Sequence, residues 1–455
     1  MPAPRATVLL ALCCACGGSV RVEQPQCPYE LRGECVGVPM SSVCPDDFCT
    51  EDASCTQVVE VSDDQALAAA LADASPGTCL ALAPGDYQQV ALPEGVSLLG
   101  RSADDVRVLG VTVGGGSGAL LRGIEIGMSG LVVDGHADLT MHAVRVARSS
   151  FDGIRLEGNA RLAMSRSEVV APGERGIRAV DLGALVMTYS ALSDTPVAGL
   201  WAQCAMGCDC PEAPPVALER VLVKGAGTYG LALIGVSARL QTSDVLDTRP
   251  GPDFQMGAGL GASGCSEVTL EDVHIDKSAG VGLLIDESDA ELGVKGAGIV
   301  VARASQGVII THIASQQQVS MVEAAIEDNG GLGICVGGFS AHVSIQDSSI
   351  SRTHTILVPL APAGSAEIGD GIEWTAGSEV RIDGLTLRSS ERQSILIDGP
   401  VPASSRIDNL VLAGGDEDKG IVQQKVLNSS DAPVVGPGVP PVKQEYEPLW
   451  DLACP

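Results

Sequence analysis

Glycine followed by an apolar, variable, apolar triplet returns along most of the chain. It appears as Gly153-Ile-Arg-Leu, Gly176-Ile-Arg-Ala, Gly199-Leu-Trp-Ala, Gly230-Leu-Ala-Leu, Gly282-Leu-Leu-Ile and Gly307-Val-Ile-Ile, among others. Twelve units start at Gly130, Gly153, Gly176, Gly199, Gly230, Gly259, Gly282, Gly307, Gly333, Gly371, Ser394 and Gly420, spaced by 23, 23, 23, 31, 29, 23, 25, 26, 38, 23 and 26 residues. A second alternation lies between the triplets, as Ala160-Arg-Leu-Ala-Met-Ser, Ala238-Arg-Leu-Gln-Thr-Ser and Ser378-Glu-Val-Arg-Ile-Asp. Period-two alternation predicts short strands with one buried face. No unit holds a helical pattern long enough for a βαβ crossover.

One coil of such strands cannot bury its inner face alone, whereas stacked coils bond their backbones to the coils above and below. The pattern therefore predicts a parallel β-helix, about 55 to 60 Å long for twelve coils at ~4.8 Å each. Ile154, Leu156, Ile177, Leu231, Leu233, Leu283, Ile285, Val308, Ile310, Ile395 and Ile397 are its expected inward stacks. The glycine ahead of each triplet suits a turn needing unusual φ/ψ. A leucine-rich repeat lacks its Leu-x-x-Leu-x-Leu signature here, and a propeller blade needs a longer period. The 38-residue unit carries fifteen extra residues between Gly333 and Gly371, with Pro359, Pro362 and Gly364, expected as an exposed loop.

The stretch Val144-Arg-Val-Ala-Arg-Ser-Ser-Phe-Asp-Gly-Ile-Arg-Leu resembles the repeat of the pectin-lyase-like superfamily. The segment before it is similar to the start of many such proteins. Ser62-Asp-Asp-Gln65 reads as a capping box, Ala66, Leu67, Ala70, Leu71 and Ala74 form one apolar stripe, and Pro76-Gly77 ends the helix. The resemblance implies an all-β, single-stranded, right-handed parallel β-helix whose first coil is covered by that short helix. The superfamily includes pectin and pectate lyases, polygalacturonases, alginate-modifying enzymes and phage depolymerases, together with exported proteins of no demonstrated activity. Fold does not choose among them.

Charge and cysteines narrow the setting. The 455 residues carry 28 Lys and Arg against 57 Asp and Glu, a net charge of −29, which repels nucleic acid phosphate. Met1 to Gly18 has one cation, Arg5, and an apolar run too short to span a bilayer, and so reads as an export signal. Ala15-Cys16-Gly17-Gly18-Ser19 resembles a bacterial lipobox with Cys16 as the acylated residue, although Cys13 stands where Leu is preferred. The expected location is a bacterial outer-membrane or cell-surface lipoprotein, or a periplasmic or extracellular protein, held by a lipid anchor and not by a transmembrane span. Twelve cysteines remain as disulfide candidates: Cys27, Cys35, Cys44, Cys49, Cys55, Cys79, Cys204, Cys208, Cys210, Cys265, Cys335 and Cys454. Their spacing lacks a C-x-x-C pair, so disulfides are favoured over zinc. The segments read as 1–16 signal peptide and lipobox, 17–56 cysteine-rich, 57–100 N-terminal cap, 101–430 β-helix and 431–455 Pro-rich tail.

Candidate chemistry is sparse. The paired carboxylates of an inverting hydrolase motif and the acidic calcium motif of a lyase are both missing. The six histidines share no column on adjacent coils, so each reads as a surface residue and no metal site is expected. Scattered acidic turns such as Asp286-Glu-Ser-Asp289 could hold calcium loosely, and no other cofactor is expected. Arg155, Glu157, Arg178, Trp201 and Gln203 would line an outward strip on successive coils, suited to an acidic sugar. Extra residues around Cys204 to Pro215 and Thr248 to Met256 would wall it. Downstream the same column turns apolar or acidic, through Ala232, Ile234, Leu284, Ile309 and Glu373, and Phe, Tyr and Trp number only 4, 5 and 3. The expectation at this level is an envelope-associated surface or interaction module with no recognisable active site, its partner a polysaccharide or another envelope protein. The alternative is a polysaccharide lyase or glycoside hydrolase acting on an acidic polysaccharide along the strip. A third reading is a structural rod holding the cysteine-rich segment near the membrane.

Overall fold

In the computed structural model, each triplet strand pairs in parallel with its counterparts one coil before and one coil after. Residues 29–38, 55–116, 118–205, 215–251, 257–264, 266–286, 293–297, 299–311, 318–337, 341–360, 364–375, 377–414, 419–425 and 432–444 are described. The fold is a right-handed parallel β-helix with three strands per coil. The register joins Ile154, Ile177, Leu200, Leu231, Leu260, Leu283, Val308, Ile334, Ile372, Ile395 and Ile421 into one inward column. Each is at most 1 % exposed. The second strands stack Met141, Met164, Met187, Leu218, Leu240 and Leu270, and the third strands stack Val146, Val169, Leu192, Val223, Val245 and Ile275. Together they make one continuous aliphatic core.

The glycine before the triplet has a different cause from the one expected. Gly130 and Gly420 have positive φ, at 68° and 64°, but Gly153 through Gly371 do not. Close approach excludes the side chain instead. A Cβ on Gly259 would sit 2.3 Å from Ile275 Cγ2 and 2.7 Å from the carbonyl oxygen of Gly282, and one on Gly176 would sit 2.4 Å from that of Gly199. The left-handed conformation falls instead at two corners, between second and third strands at Ala143, Arg166, Tyr189, Arg220, Thr242 and Asp272, and after the third strands at Arg148, Ala171, Asp194, Asp247 and Lys277. At the first of these corners, inward serines satisfy the buried backbone. Ser167, Ser243 and Ser348 accept from the amides of Val144, Val221 and Ala324 at 3.0 to 3.1 Å. The same hydroxyls donate to the carbonyls two residues earlier, at 2.7 to 2.9 Å.

The ends and insertions also depart from expectation. The helix Asp64–Asp73 is capped by Asp63, not Ser62: its carboxylate accepts from Ala66 N at 2.8 Å, while Ser62 Oγ donates to Asp63. Leu67 plugs the first coil, with Ala66, Ala70, Leu71 and Ala74 packed beside it. A Cys55–Cys79 disulfide ties the start of the first strand, Gln57–Val61, to the next coil. Cys35, Cys204 and Cys335 are also disulfide-bonded. Parallel pairing continues past residue 430, since Val434–Val435 and Val442–Gln444 add to the last coils. The supposed loop after Gly333 is an antiparallel hairpin, Ile356–Leu360 with Gly364–Ile368, and Ile368 is fully buried. Tyr29–Leu31 and Glu34–Val36 form another hairpin, which lays Leu31 and Val36 against Ala191 and Leu222 on the outside of the third strands. Arg32 bridges to Asp244 and Asp272 from there, and Glu34 to Arg220. Cys16, Cys27, Cys44, Cys49, Cys208, Cys210, Cys265 and Cys454, with residues 206–214 and 252–256, lie outside the described residues.

Candidate active site

The outward face of the triplet sheet gathers the expected residues. Register places Arg155, Arg178, Trp201, Ala232, Gly261 and Leu284 one above another, about 24 Å from end to end at ~4.8 Å per coil. Glu157 sits between the two arginines, with Arg155 Nε at 3.5 Å and Arg178 Nη1 at 3.2 Å from Oε1. Trp201 Nε1 donates to Gln203 Oε1 at 3.1 Å, which fixes the indole edge.

Three further residues complete the strip. The Arg175 guanidinium lies 5.5 Å from the Trp201 ring centroid and is anchored by Asp152 and Glu174. The Tyr229 ring meets Trp201 edge-on, centroids 6.1 Å apart. Beside them opens a cleft of about 370 Å³ counted to its open mouth, lined by Trp201, Tyr229, Gly261, Ser263, Leu284 and Asp286. Gly261 makes room for it: a Cβ there would lie 2.9 Å from the Tyr229 ring. Burial, and then the charge of Asp286, push the Tyr229 phenol upward, so it stays protonated as a donor. Asp286 accepts from Thr311 Oγ1 at 3.1 Å. Arg175 and Tyr229 each stand directly before a repeat glycine, a position that also faces outward and that could have been read in the sequence. Asp286 closes its strand four residues after Gly282, but only the stacking of coils carries it to Tyr229.

Downstream, the column does not face water. Ile309, Leu332 and Cys335 are buried with Ile368, and Ile356 packs against them, so the base of the hairpin covers this stretch. Beyond it, Asp370 and Glu373 are fully buried beside Arg392, whose Nε lies 3.0 Å from both Asp370 oxygens and whose Nη2 lies 3.8 Å from Glu373 Oε2. Burial raises the Asp370 carboxyl even with Arg392 against it. This cluster is enclosed, so the accessible strip ends near Asp286. Of the histidines, His142, which lies against Ser165, is half-buried, as are His274 and His342, so these three are not plain surface residues, and His312 lies outside the described residues. Among the described residues, no group of three or more His, Cys, Asp or Glu is placed to share a metal ion, and no helix is long and apolar enough to cross a membrane.

No family model matches the chain, and no curated protein matches it. Solved structures do. An alginate lyase from Paenibacillus sp. str. FPU-7 is similar over 86% of this chain and 98% of its own, at 10% identity and TM-score 0.26. A point variant of the periplasmic alginate epimerase AlgG is similar over 85% and 82%, at 10% identity and TM-score 0.39. The catalytic domain of a GH87 alpha-1,3-glucanase in complex with nigerose is similar over 87% and 68%, at 10% identity and TM-score 0.28. These neighbours are named as carbohydrate-active enzymes, which runs against the expectation of a module without an active site and the leaning against an enzyme. Likeness at this level speaks to the coil architecture. The right-handed parallel β-helix of this chain rests on its own strand register.

Proposed function

We propose that the chain is a polysaccharide lyase acting on an acidic polysaccharide laid along the strip from Arg155 to Asp286. The observation that carries this is a cleft holding one phenol, Tyr229, and one carboxylate, Asp286, at the end of an arginine and tryptophan ladder. Hydrolysis of a glycosidic bond ordinarily uses two carboxyl groups facing each other across it. Elimination needs a base for the proton next to the sugar carboxylate, a cation to spread the charge that forms, and an acid for the leaving oxygen. Asp286 would take the proton, the bond from carbon to the glycosidic oxygen would break, and the Tyr229 hydroxyl would protonate that oxygen. Arg175, which lies against the Trp201 ring beside the cleft, would supply the cation for the charge that forms, Arg155 and Arg178 would hold the carboxylates of neighbouring sugars, and Trp201 would support a sugar face. Export supports the reading, with Cys16 as the lipid attachment, because disulfides persist in oxidising compartments.

Incubation with alginate and polygalacturonate tests it, by following unsaturated ends and reducing ends together. Unsaturated products are expected, with Tyr229→Phe and Asp286→Asn each lowering kcat by roughly 10² or more. Arg178→Gln is expected to raise KM. Reducing ends without unsaturation would assign hydrolysis instead, and no product from either polymer would overturn the reading.

A further inference from the structure

The corner between second and third strands is the one corner of the coil that does not border the triplet sheet. Two adjacent columns run along it: Arg122 pairs with His142 and His142 with Ser165, while Arg166, Tyr189 and Arg220 follow one another one residue past the paired Ser165, Thr188 and Glu219, and Arg101 lies two residues past Leu99, the partner of Arg122 on the preceding coil. Acid is abundant in this chain, with 57 acidic against 28 basic residues, and most arginines use it. Arg145, one turn further along the coil, holds Asp104 and Glu168. Yet Arg101, Arg122 and Arg166 make no ion pair among the described residues. Arg122 Nε is buried without an acceptor. Arg122 and His142 are direct cross-coil partners, so no carboxylate faces Arg122 from that coil. Burial and both neighbouring guanidiniums, Arg122 and Arg166, push the imidazole of His142 down.

The corner is also ordered. Arg166 and Arg220 lie 5.4 and 5.1 Å from the two-sided Tyr189 ring, and Ser165 Oγ stands 2.9 Å from His142 Nδ1. Arg220 is neutralised by Glu34 and Glu219, which leaves the uncompensated charge at Arg101, Arg122 and Arg166. Guanidiniums that lack carboxylates are what a multiply charged oxyanion would neutralise with bidentate hydrogen bonds. Arg122 and Arg166 are two coils apart, about 10 Å along the axis, more than one phosphate group spans.

We propose that this corner binds a ligand carrying two or more phosphate-type oxyanions, at a site separate from the cleft beside Trp201. The source is either a soluble oligophosphate or neighbouring headgroups on a lipid surface. Titration calorimetry of the full chain with tripolyphosphate, and co-sedimentation with phosphatidylglycerol vesicles against phosphatidylcholine vesicles, distinguish the two. The Arg122→Gln/Arg166→Gln variant is expected to lose at least tenfold in affinity for whichever probe binds, and Arg101→Gln alone to lose affinity to a smaller extent should the double variant fold poorly. Arg388→Gln, which removes an exposed arginine from a distant coil, and Arg178→Gln in the strip are expected to bind as the parent does. Binding to neither probe, binding unchanged in both corner variants, or binding lost in Arg178→Gln would each overturn the proposal.

Discussion

Gly259 shows what the repeat demands of one position. Its backbone is not left-handed, and its missing side chain is a matter of space, with Ile275, Ser278 and the Gly282 carbonyl all within 2.7 Å of where a Cβ would stand. Overpacking of this kind costs about 1 to 3 kcal/mol because neither a backbone carbonyl nor a column of interlocked side chains can retreat. Gly259→Ala is therefore expected to lower the unfolding free energy by about that much, read by denaturant titration. Gly114→Ala, where nothing lies within 4 Å and φ is not positive, is expected to change it by less than about 0.5 kcal/mol. Equal effects of the two would sink the close-approach account.

Among the elements, the two hairpins and the disulfide do what strand stacking alone cannot. The Cys55–Cys79 bond closes a separation of 24 residues and pins the capped end, where stacking has a partner on one side only. Loop-closure entropy gives about 3 kcal/mol for a loop of that size, and the Cys55→Ser/Cys79→Ser variant is expected to lose stability on that scale. The hairpin Ile356–Ile368 is clasped at its base. His354 Nε2 lies 2.9 Å from Asp328 Oδ1 and Nδ1 lies 3.3 Å from Glu391 Oε1, while Glu391 also accepts from Thr355 N. Two carboxylates on two ring nitrogens suit the doubly protonated imidazolium. The hydrogen bond to Asp328 comes first in raising His354 above its ordinary 6.5. Asp328 is lowered from 3.8 by that same bond, and Glu391 from 4.5 by the Thr355 amide and then by His354. The clasp thus contributes fully below 6.5 and is lost as pH rises through the higher folded value of His354. It is also present above 3.8 and 4.5, and lost as pH falls through the depressed carboxylate values. Amide protection in Ile356–Leu360 and Gly364–Ile368, taken relative to the intrinsic exchange rate at each pH, is expected to be highest between those limits and to fall on either side. His354→Asn is expected to remove the alkaline limb, and a flat profile in the parent protein would contradict the clasp.

For the whole molecule, the stacked coils give each outward column a length and a sequence of chemistries. On the triplet sheet the column passes from arginine to aromatic to an open cleft, then under the Ile356–Ile368 hairpin, then to the enclosed Asp370, Glu373 and Arg392. Among the described residues, it is the first part that lies open at the surface. Filling the cleft is the sharper test of the proposed activity: Gly261→Leu is expected to abolish turnover of polyuronates and to lower the melting temperature as well, because its Cβ would meet the Tyr229 ring at 2.9 Å.

Much of this architecture was readable before any coordinates. A spacing of 23 residues names the neighbour of each strand one coil away, so Arg155, Arg178 and Trp201 could be aligned from the chain alone, and so could the inward Ile and Leu columns. Tyr229 was legible in principle, since it occupies the place before its glycine that Arg175 fills two coils earlier. Asp286 was not, because its partnership with Tyr229 crosses two coils whose lengths differ. The hairpin was mistaken for a loop because its antiparallel pairing, from Ile356 to Ile368, has no period to betray it.

What the amino-acid order determines by itself is the coil: alternation selects the buried face, and the repeat makes every unit need another to cover it. What tertiary structure alone decides lies where the period breaks. Insertions of different lengths, cysteines far apart and turns of matching charge have no fixed partner along the chain, and their contacts exist only once the stack has set which corner faces which. The repeat is local physics applied many times, whereas the cleft, the clasp and the basic corner are consequences of the stack as a whole.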